Sequence, residues 1–320
     1  MKTIGIVTSG GDAPGMNAAI RAVVRVASNH GMRVLGFRRG YGGVVANEFM
    51  ELTPRSVSGI IQLGGTILHS SRCKECETAD EQEIAAQNLK KNGVEGLVVV
   101  GGDGSMRGAR ALGKTSGIPM VGVPASIDND VYGTDETIGF DTAVNTDVSE
   151  IDKIRDTAVS HDRIFIVEVM GRHRGFIAAM VGLTVGAEAT LVPEVKYNEE
   201  ALLKLIRENE AKGKKSAIIV AAEGVGDTRK IAEDIEKGLG LEARLSIIGY
   251  AQRGGSPTAR SRFLAAEFGS RAVELLMAGN GDRVVGIRNG RITDISLEES
   301  CSQKKPLDTS VLALAKVLST

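Results

Sequence analysis

A chain of 320 residues with a net charge of −1 and interspersed charges has room for two domains, and has no bulk electrostatic attraction for nucleic acid or an anionic membrane. Its 40 glycines lie in short clusters between apolar runs, as expected where backbone must approach another group closely. The N-terminal apolar run is too short for a signal peptide, and no stretch approaches the ~18 apolar residues of a membrane helix, so a cytoplasmic protein is expected.

Short β-rich runs alternate with helical periodicity along the chain, which predicts an α/β fold: two domains with largely parallel sheets flanked by helices. The first expected strand, residues 4–9, runs into TSGGDAPGMN (8–17). There Gly10, Gly11 and Gly15 can turn backbone N–H groups and a helix N-terminus toward a phosphate. A tight strand-to-helix turn explains the same residues equally well. The helix that follows carries a stripe of Met16, Ile20, Val23, Val24 and Ala27, with Arg21 and Arg25 on the opposite side. GGTILHSSR (64–72) ends on Arg72. Cys73 and Cys76 then form a lone CxxC with no second pair to complete a tetrahedral site; with Cys301 they read as loop cysteines of a reduced protein.

A second strand, 96–102, opens VVVGGDGS (98–105). Gly101, Gly102 and Gly104 admit a phosphate, and Asp103 is a carboxylate able to hold Mg²⁺, or else a turn cap before a helix from Ser105. A third strand, 120–124, ends in VPASIDND (123–130), where Asp128 and Asp130, alternating on an extended segment or splayed across a turn, would share a site with Asp103, with Asp135 following; an Asp-rich turn capping the next helix explains the same residues. Clustered carboxylates are costly unless they share work, one taking a proton and others serving a metal. A helix is expected over about 141–158, with Val144, Val148, Ile151, Ile154 and Ala158 on one stripe. Further strands are expected at 163–170, 216–224 and 244–250, and another long helix after QRGGSP (252–257). Arg72, Arg163, Arg172, Arg244 and Arg253 sit at loop edges or strand ends, where their planar forks suit two anionic substrates.

TSGGDAPGMN, GGDGS, SIDND, VMGR, AAEG and QRGGSPT, in this order from residue 8 to residue 258, resemble the bacterial ATP-dependent 6-phosphofructokinases over nearly the whole chain. The resemblance implies a nucleotide-binding domain of residues 1–139 plus 256–304 and a sugar-phosphate domain of 140–255 plus 305–320, with the active site in the crevice between them, in a homotetramer. It implies ATP at Gly11, Tyr41, Arg72, Cys73 and the loop Gly102, Asp103, Gly104, Ser105, with Mg²⁺ on Asp103. Asp128 corresponds to the base for the 1-hydroxyl of fructose 6-phosphate. Ser126 supplies a hydroxyl where threonine is usual, beside Ile127, and Asp130 helps order the metal and its waters. Met170, Gly171, Arg172 and Glu223 would hold the sugar and Arg253 its 6-phosphate, while Arg163 and Arg244 would reach in from a neighbouring subunit. Arg21, Arg25, Arg155, Glu188, Lys212 and Lys214 correspond to an effector site for ADP and phosphoenolpyruvate.

Some positions depart from the family pattern. Tyr250 stands where histidine is usual beside the 6-phosphate, Arg174 and Phe176 replace smaller or acidic residues, and residues 259–263 have serine in place of Asp-Arg. Gly59 and Leu63 replace Asp and Arg of strongly regulated relatives, which predicts a weakened effector response. Pyrophosphate-dependent relatives carry Asp at the Gly104 position and Lys at the Ala125 position; neither is present, which favours ATP. A kinase for a related ketohexose phosphate, a silent regulatory subunit and the wider GGDG kinases are the other classes weighed. Retention of Asp103, Asp128 and Arg72 counts against the silent subunit, and VMGR and QRGG against the GGDG kinases.

Overall fold

The computed structural model describes residues 1–71 and 78–319, so Arg72, Cys73 and Cys76 lie outside the described residues. In chain order the elements are β1 (Thr3–Ser9), α1 (Met16–Asn29), β2 (Arg33–Phe37), α2 (Tyr41–Val45), β3 (Phe49–Leu52), α3 (Ala79–Lys91), β4 (Gly96–Gly101), α4 (Asp103–Ser116), β5 (Met120–Ser126), β6 (Ile138–Gly139) and α5 (Phe140–Ser160). Then come β7 (Ile164–Val169), α6 (Phe176–Thr184), β8 (Ala189–Leu191), α7 (Glu199–Ala211), β9 (Ala217–Ala222), α8 (Thr228–Leu239) and β10 (Ala243–Ile247). The chain closes with α9 (Ala259–Met277), β11 (Arg283–Arg288), β12 (Arg291–Ser296), α10 (Leu297–Ser302) and α11 (Thr309–Leu318).

Two compact units result, Met1–Thr142 with Arg253–Lys305 and Ala143–Gln252 with Pro306–Thr320. The first unit has a sheet in the order β12-β11-β5-β4-β1-β2-β3, with β6 added on β5. Its interior pairs are parallel, while β3 and β12 add antiparallel edges. The second unit has an all-parallel sheet, β10-β7-β9-β8. Such strands are covered on both faces and read as continuous apolar runs, as in LVVV of β4 and AIIVAA of β9, every residue of which is buried.

The stripe expected on α1 is fully buried, at roughly 1.5–3 kcal/mol per large side chain. It lies close to α9 because small residues line the contact: a Cβ on Gly269 would stand 2.8 Å from Ala22 Cβ and 3.1 Å from the Ala19 carbonyl. The α5 stripe is rotated from the expected one. Val144, Ile151 and Ala158 are buried, Val148 and Ile154 are only half-buried, and Asp147 is turned fully inside. No helix among the described residues is long and apolar enough to cross a membrane.

Candidate active site

Thr78, Asn198, Asp227, Thr258, Ser296 and Asp308 cap their helices with side-chain oxygens. Other helices begin at glycine without a side-chain cap: α2 at Gly40 and α6 at Gly175, and, after the central strands β1 and β4, α1 at Gly15 and α4 at Gly102. The last two, α1 and α4, are the ones that the glycine loops lead into. Their first N–H groups therefore point outward unused by side chains, with the positive end of the helix dipole behind them. Glycine is obligatory at Gly15: φ is +109°, and a Cβ would fall 2.6 Å from Ile138 Cγ2.

The two loops are bound together beneath. Ser105 donates through Oγ to the Ser9 carbonyl at 2.9 Å, and Gly101 leaves room for it, since a Cβ there would sit 2.4 Å from Ser105 Oγ. Tyr41 is buried, and its hydroxyl donates to the Ser105 carbonyl at 2.6 Å. Burial holds that phenol well above its ordinary pKa. Tyr41 thus supports the first turn of α4, in the loop to which the resemblance assigns the nucleotide. Gly104 is exposed, and a Cβ added to it would meet nothing within 4 Å. The protein's own packing does not require glycine there.

Asp103 lies inside the first turn of α4, not ahead of it, and pairs with Arg107 one turn on at 2.6 Å. The next strand, β5, ends on Ser126, whose side chain adjoins Gly102. The chain then turns: Asp128 N–H donates to Ser126 Oγ at 3.2 Å, and Asn129 takes φ +52°. Asn129 holds the turn by donating to the Asp135 carbonyl at 3.2 Å and accepting from Thr137 N–H at 3.0 Å. The splayed turn, not an extended segment, is what presents Asp128 and Asp130, with Ile127 buried beneath. Burial, then Asp128, then Asp103 push Asp130 up to about 6, while its own backbone and Lys305 pull it down. The three carboxylates therefore share one electrostatic environment. Gly11, in the first glycine loop, lies against Arg253: a Cβ on it would stand 3.2 Å from Arg253 Nη1.

In the second unit, Met170, Gly171 and Arg172 follow β7, and Glu223 follows β9. Gly171 has φ +134°, its carbonyl accepts from Gly224 N–H at 3.2 Å, and a Cβ on Gly224 would stand 2.1 Å from the Arg172 carbonyl. Those two strand ends are thus brought together. Met170 N–H donates to Gln252 Oε1 at 3.0 Å, and the fully buried Gln252 donates back to the Gly249 carbonyl at 3.0 Å. Tyr250 is 79% exposed. Arg163 and Arg244 both pair with Glu242, Arg163 at 2.7 Å, and Arg163 is the leading cause that lowers the Glu242 pKa.

Gln252 and Glu242 escape motif reading, although a carboxylate two residues from Arg244 was a usable signal. Of the effector candidates, Arg21 and Arg25 lie on α1 in the first unit, and the other four in the second. Arg155 donates to the Val185 carbonyl at 2.5 Å. Glu188 is buried and accepts from Lys214 at 2.7 Å and from Ile218 N–H at 2.5 Å; Lys212 is exposed at the end of α7.

No group of three or more His, Cys, Asp or Glu side chains among the described residues forms a metal cage. The donor set fits a hard cation shared with a ligand's phosphates: one helix-end carboxylate, Asp103, and beside it Asp130, whose carboxyl is pushed up first by burial and then by the charges of Asp128 and Asp103.

Uncapped helix ends over glycine loops, with carboxylates at adjacent strand ends, define an α/β protein equipped to handle phosphate groups. The family model described as Phosphofructokinase matches residues 3–276, and the chain belongs to that family. It is 53% identical over 319 residues to an ATP-dependent 6-phosphofructokinase of Lysinibacillus sphaericus and 50% identical to one of Bacillus mycoides, each alignment covering 100% of both chains. A phosphofructokinase of Pichia pastoris solved in the T-state superposes with a TM-score of 0.90 at 35% identity, over 99% of this chain and 37% of that one.

Proposed function

We propose that this protein transfers the γ-phosphoryl group of ATP to the 1-hydroxyl of fructose 6-phosphate, giving fructose 1,6-bisphosphate. The observation that carries the reading is the Asp103, Asp128, Asp130 cluster at the ends of β4 and β5, beside the uncapped start of α4. Full-length relatives at 50% and 53% identity bearing that activity support it.

Phosphoryl transfer has a loose transition state, so it needs alignment and charge stabilisation more than a strong base. The first unit would bind ATP: Gly11 and the loop from Gly102 to Ser105 offer backbone N–H groups to its phosphates, with Arg72 and Cys73 completing the contacts. Mg²⁺, held by Asp103 and the phosphates, would supply charge neutralisation on the triphosphate. Asp128 accepts the proton of the attacking hydroxyl. Ser126 Oγ already accepts from Asp128 N–H, which leaves its own O–H to donate to the phosphoryl in transit. Asp130 would help order water around that cation. Met170, Gly171, Arg172 and Glu223 would orient the sugar, and Arg253 and Tyr250 would meet its phosphate. Arg163 and Arg244, already paired with Glu242, would serve a neighbouring subunit's site in a homotetramer.

ATP as the donor is favoured by Ala125, where pyrophosphate-dependent relatives carry Lys, and by Gly104, where they carry Asp. An Asp there would fit the protein yet place a charge and bulk in the space that the donor uses. The cations Arg21, Arg25, Arg155, Lys212 and Lys214, with Glu188, would bind an anionic effector such as ADP or phosphoenolpyruvate, with a weakened response. Gly59 supports that weakening, since it offers no side chain and a Cβ there meets nothing within 4 Å. A coupled assay of the purified protein with ATP and with pyrophosphate tests the reading. ATP is expected to give the higher kcat/KM with fructose 6-phosphate; a higher value with pyrophosphate, or turnover only with another ketohexose phosphate, would overturn it.

A further inference from the structure

Lys305 lies in the segment 303–308 after α10 and is the last residue of the first unit. Its ammonium donates a 2.8 Å hydrogen bond to the Asp135 carbonyl. The same carbonyl takes the Asn129 amide, and Asn129 stands between Asp128 and Asp130 in the left-handed conformation. One cation is thereby tied, through one carbonyl and one amide, to the turn that presents both carboxylates. The far side of that loop is equally fixed: Asp135 N–H donates to the Ile287 carbonyl at 2.8 Å, and Asn289 N–H donates to Asp135 Oδ2 at 2.8 Å.

Charge points the same way. Neighbouring carboxylates have other partners, Glu136 in Arg260 at 2.8 Å and Asp103 in Arg107. Among the described residues, Lys305 is the cation that acts on Asp130. Burial draws the Lys305 pKa down to about 8, and Asp135, Asp130 and Glu136 hold it up, so the ammonium is kept by those acids. An exposed lysine on a loop would show neither the half-burial nor the burial-lowered pKa.

We propose that Lys305 is a positioning residue for phosphoryl transfer: its ammonium offsets the negative charge of the Asp128–Asp130 turn and anchors that turn through the Asp135 carbonyl. The inference rests on the phosphotransferase reading above. Three variants separate its parts. Lys305→Arg keeps charge and donor, Lys305→Gln keeps a donor without charge, and Lys305→Met keeps neither. For each, kcat, both KM values, the acid limb of the kcat pH profile and thermal stability are measured on the full chain.

Lys305→Gln and Lys305→Met are expected to lose about 10–100-fold in kcat, the usual cost of removing a supporting partner of a catalytic group, with KM changed by less than about threefold. Their acid limb moves to higher pH, because carboxylates without the cation hold protons more tightly. Lys305→Arg stays near the parent. Parent-like kcat in Lys305→Gln overturns the charge role, and Lys305→Arg as impaired as Lys305→Met makes the position one of packing alone. A kcat loss accompanied by lowered stability and an unmoved acid limb also overturns it. Parent turnover is measured first. None with ATP and fructose 6-phosphate overturns the underlying reading and this inference with it, whereas an active parent with unaffected variants overturns this inference alone.

Discussion

Asp147 is fully buried on α5, and neither of its carboxylate oxygens has a hydrogen-bond partner among the described residues. Burial alone pushes its pKa from the ordinary 3.8 up to about 8. Below pH 3.8 the folded and unfolded chains both hold the proton. Between pH 3.8 and about 8 the unfolded chain has released it while the folded chain keeps it, so stability falls as pH rises, then levels off above 8. One pH unit corresponds to about 1.4 kcal/mol, so raising pH from 5 to 8 costs on the order of 4 kcal/mol through this one group. Asp147→Asn keeps the shape and removes the ionisation; Asp147→Leu also removes the unpaired polar group, worth about 1–3 kcal/mol.

Melting of parent and variants is compared at pH 5, 6, 7, 8 and 9. Every other ionisable group cancels in the difference. Both variants should gain on the parent as pH rises, by on the order of 10 °C in Tm between pH 5 and 8 at about 2–4 °C per kcal/mol, with no further gain at pH 9. Asp147→Leu should lie above Asp147→Asn throughout. A difference that does not change with pH, or an Asp147→Leu protein less stable than the parent at pH 8, would refute the reasoning. Either result would mean that the carboxylate is ionised and paired in the folded protein.

Asp128→Asn should lose roughly 10²–10⁴ in kcat with little change in substrate binding, as for loss of a general base, and turnover within a few fold would make Asp128 a turn residue only. Raising Mg²⁺ should move the acid limb of kcat/KM downward from near 6, because a cation beside Asp130 favours its charged form; a limb insensitive to Mg²⁺ would separate the metal from the cluster. Gly104→Asp should leave Tm unchanged, given the open space around it, while lowering ATP use; a Tm drop would show that the space is filled. Gly224→Ala should raise KM for the sugar phosphate and cost about 1–3 kcal/mol, since its Cβ would meet the Arg172 carbonyl at 2.1 Å; unchanged KM and Tm would refute that. Arg21→Ala should abolish whatever shift ADP or phosphoenolpyruvate produces in the fructose 6-phosphate saturation curve, and an identical response in the variant would place the effector elsewhere.

The central strands were legible because parallel sheets bury both faces and leave unbroken apolar runs, as in β4, β5 and β9. The edges were not. In β2 the run RVLGF contains a glycine that the strand needs for packing, since a Cβ on Gly36 would stand 2.7 Å from Leu52 and Leu68. The β11–β12 hairpin turns through Asn289 and Gly290, both at positive φ; the short apolar run of β11 is bounded by Arg283 and Arg288, and β12 is broken by Asp294. GDG reads as a loop before a helix from Ser105, yet α4 begins at Asp103, where an acid in the first turn is favoured by the dipole.

The residues proposed to meet a ligand sit beside glycines and at strand ends, and that local signal survives in one dimension. The groups that support them do not. Gln252 reaches Met170 across 82 residues, and Lys305 reaches Asp135 across 170. Neither pairing has any periodicity or spacing, because it exists only through the order in which the strands are laid down. Asp147 fails to show for the opposite reason. Periodicity around it is strong, but Asp147 stands one turn from Val144 and from Ile151 and two turns from Ile154, within the apolar stripe itself. A reading that follows apolar residues passes over the acid between them and leaves it to solvent. The fold instead buries it with Val144 and Ile151, and Val148 at the stripe's flank is only half-buried. The cost of that choice is what the pH dependence of stability at Asp147 would measure.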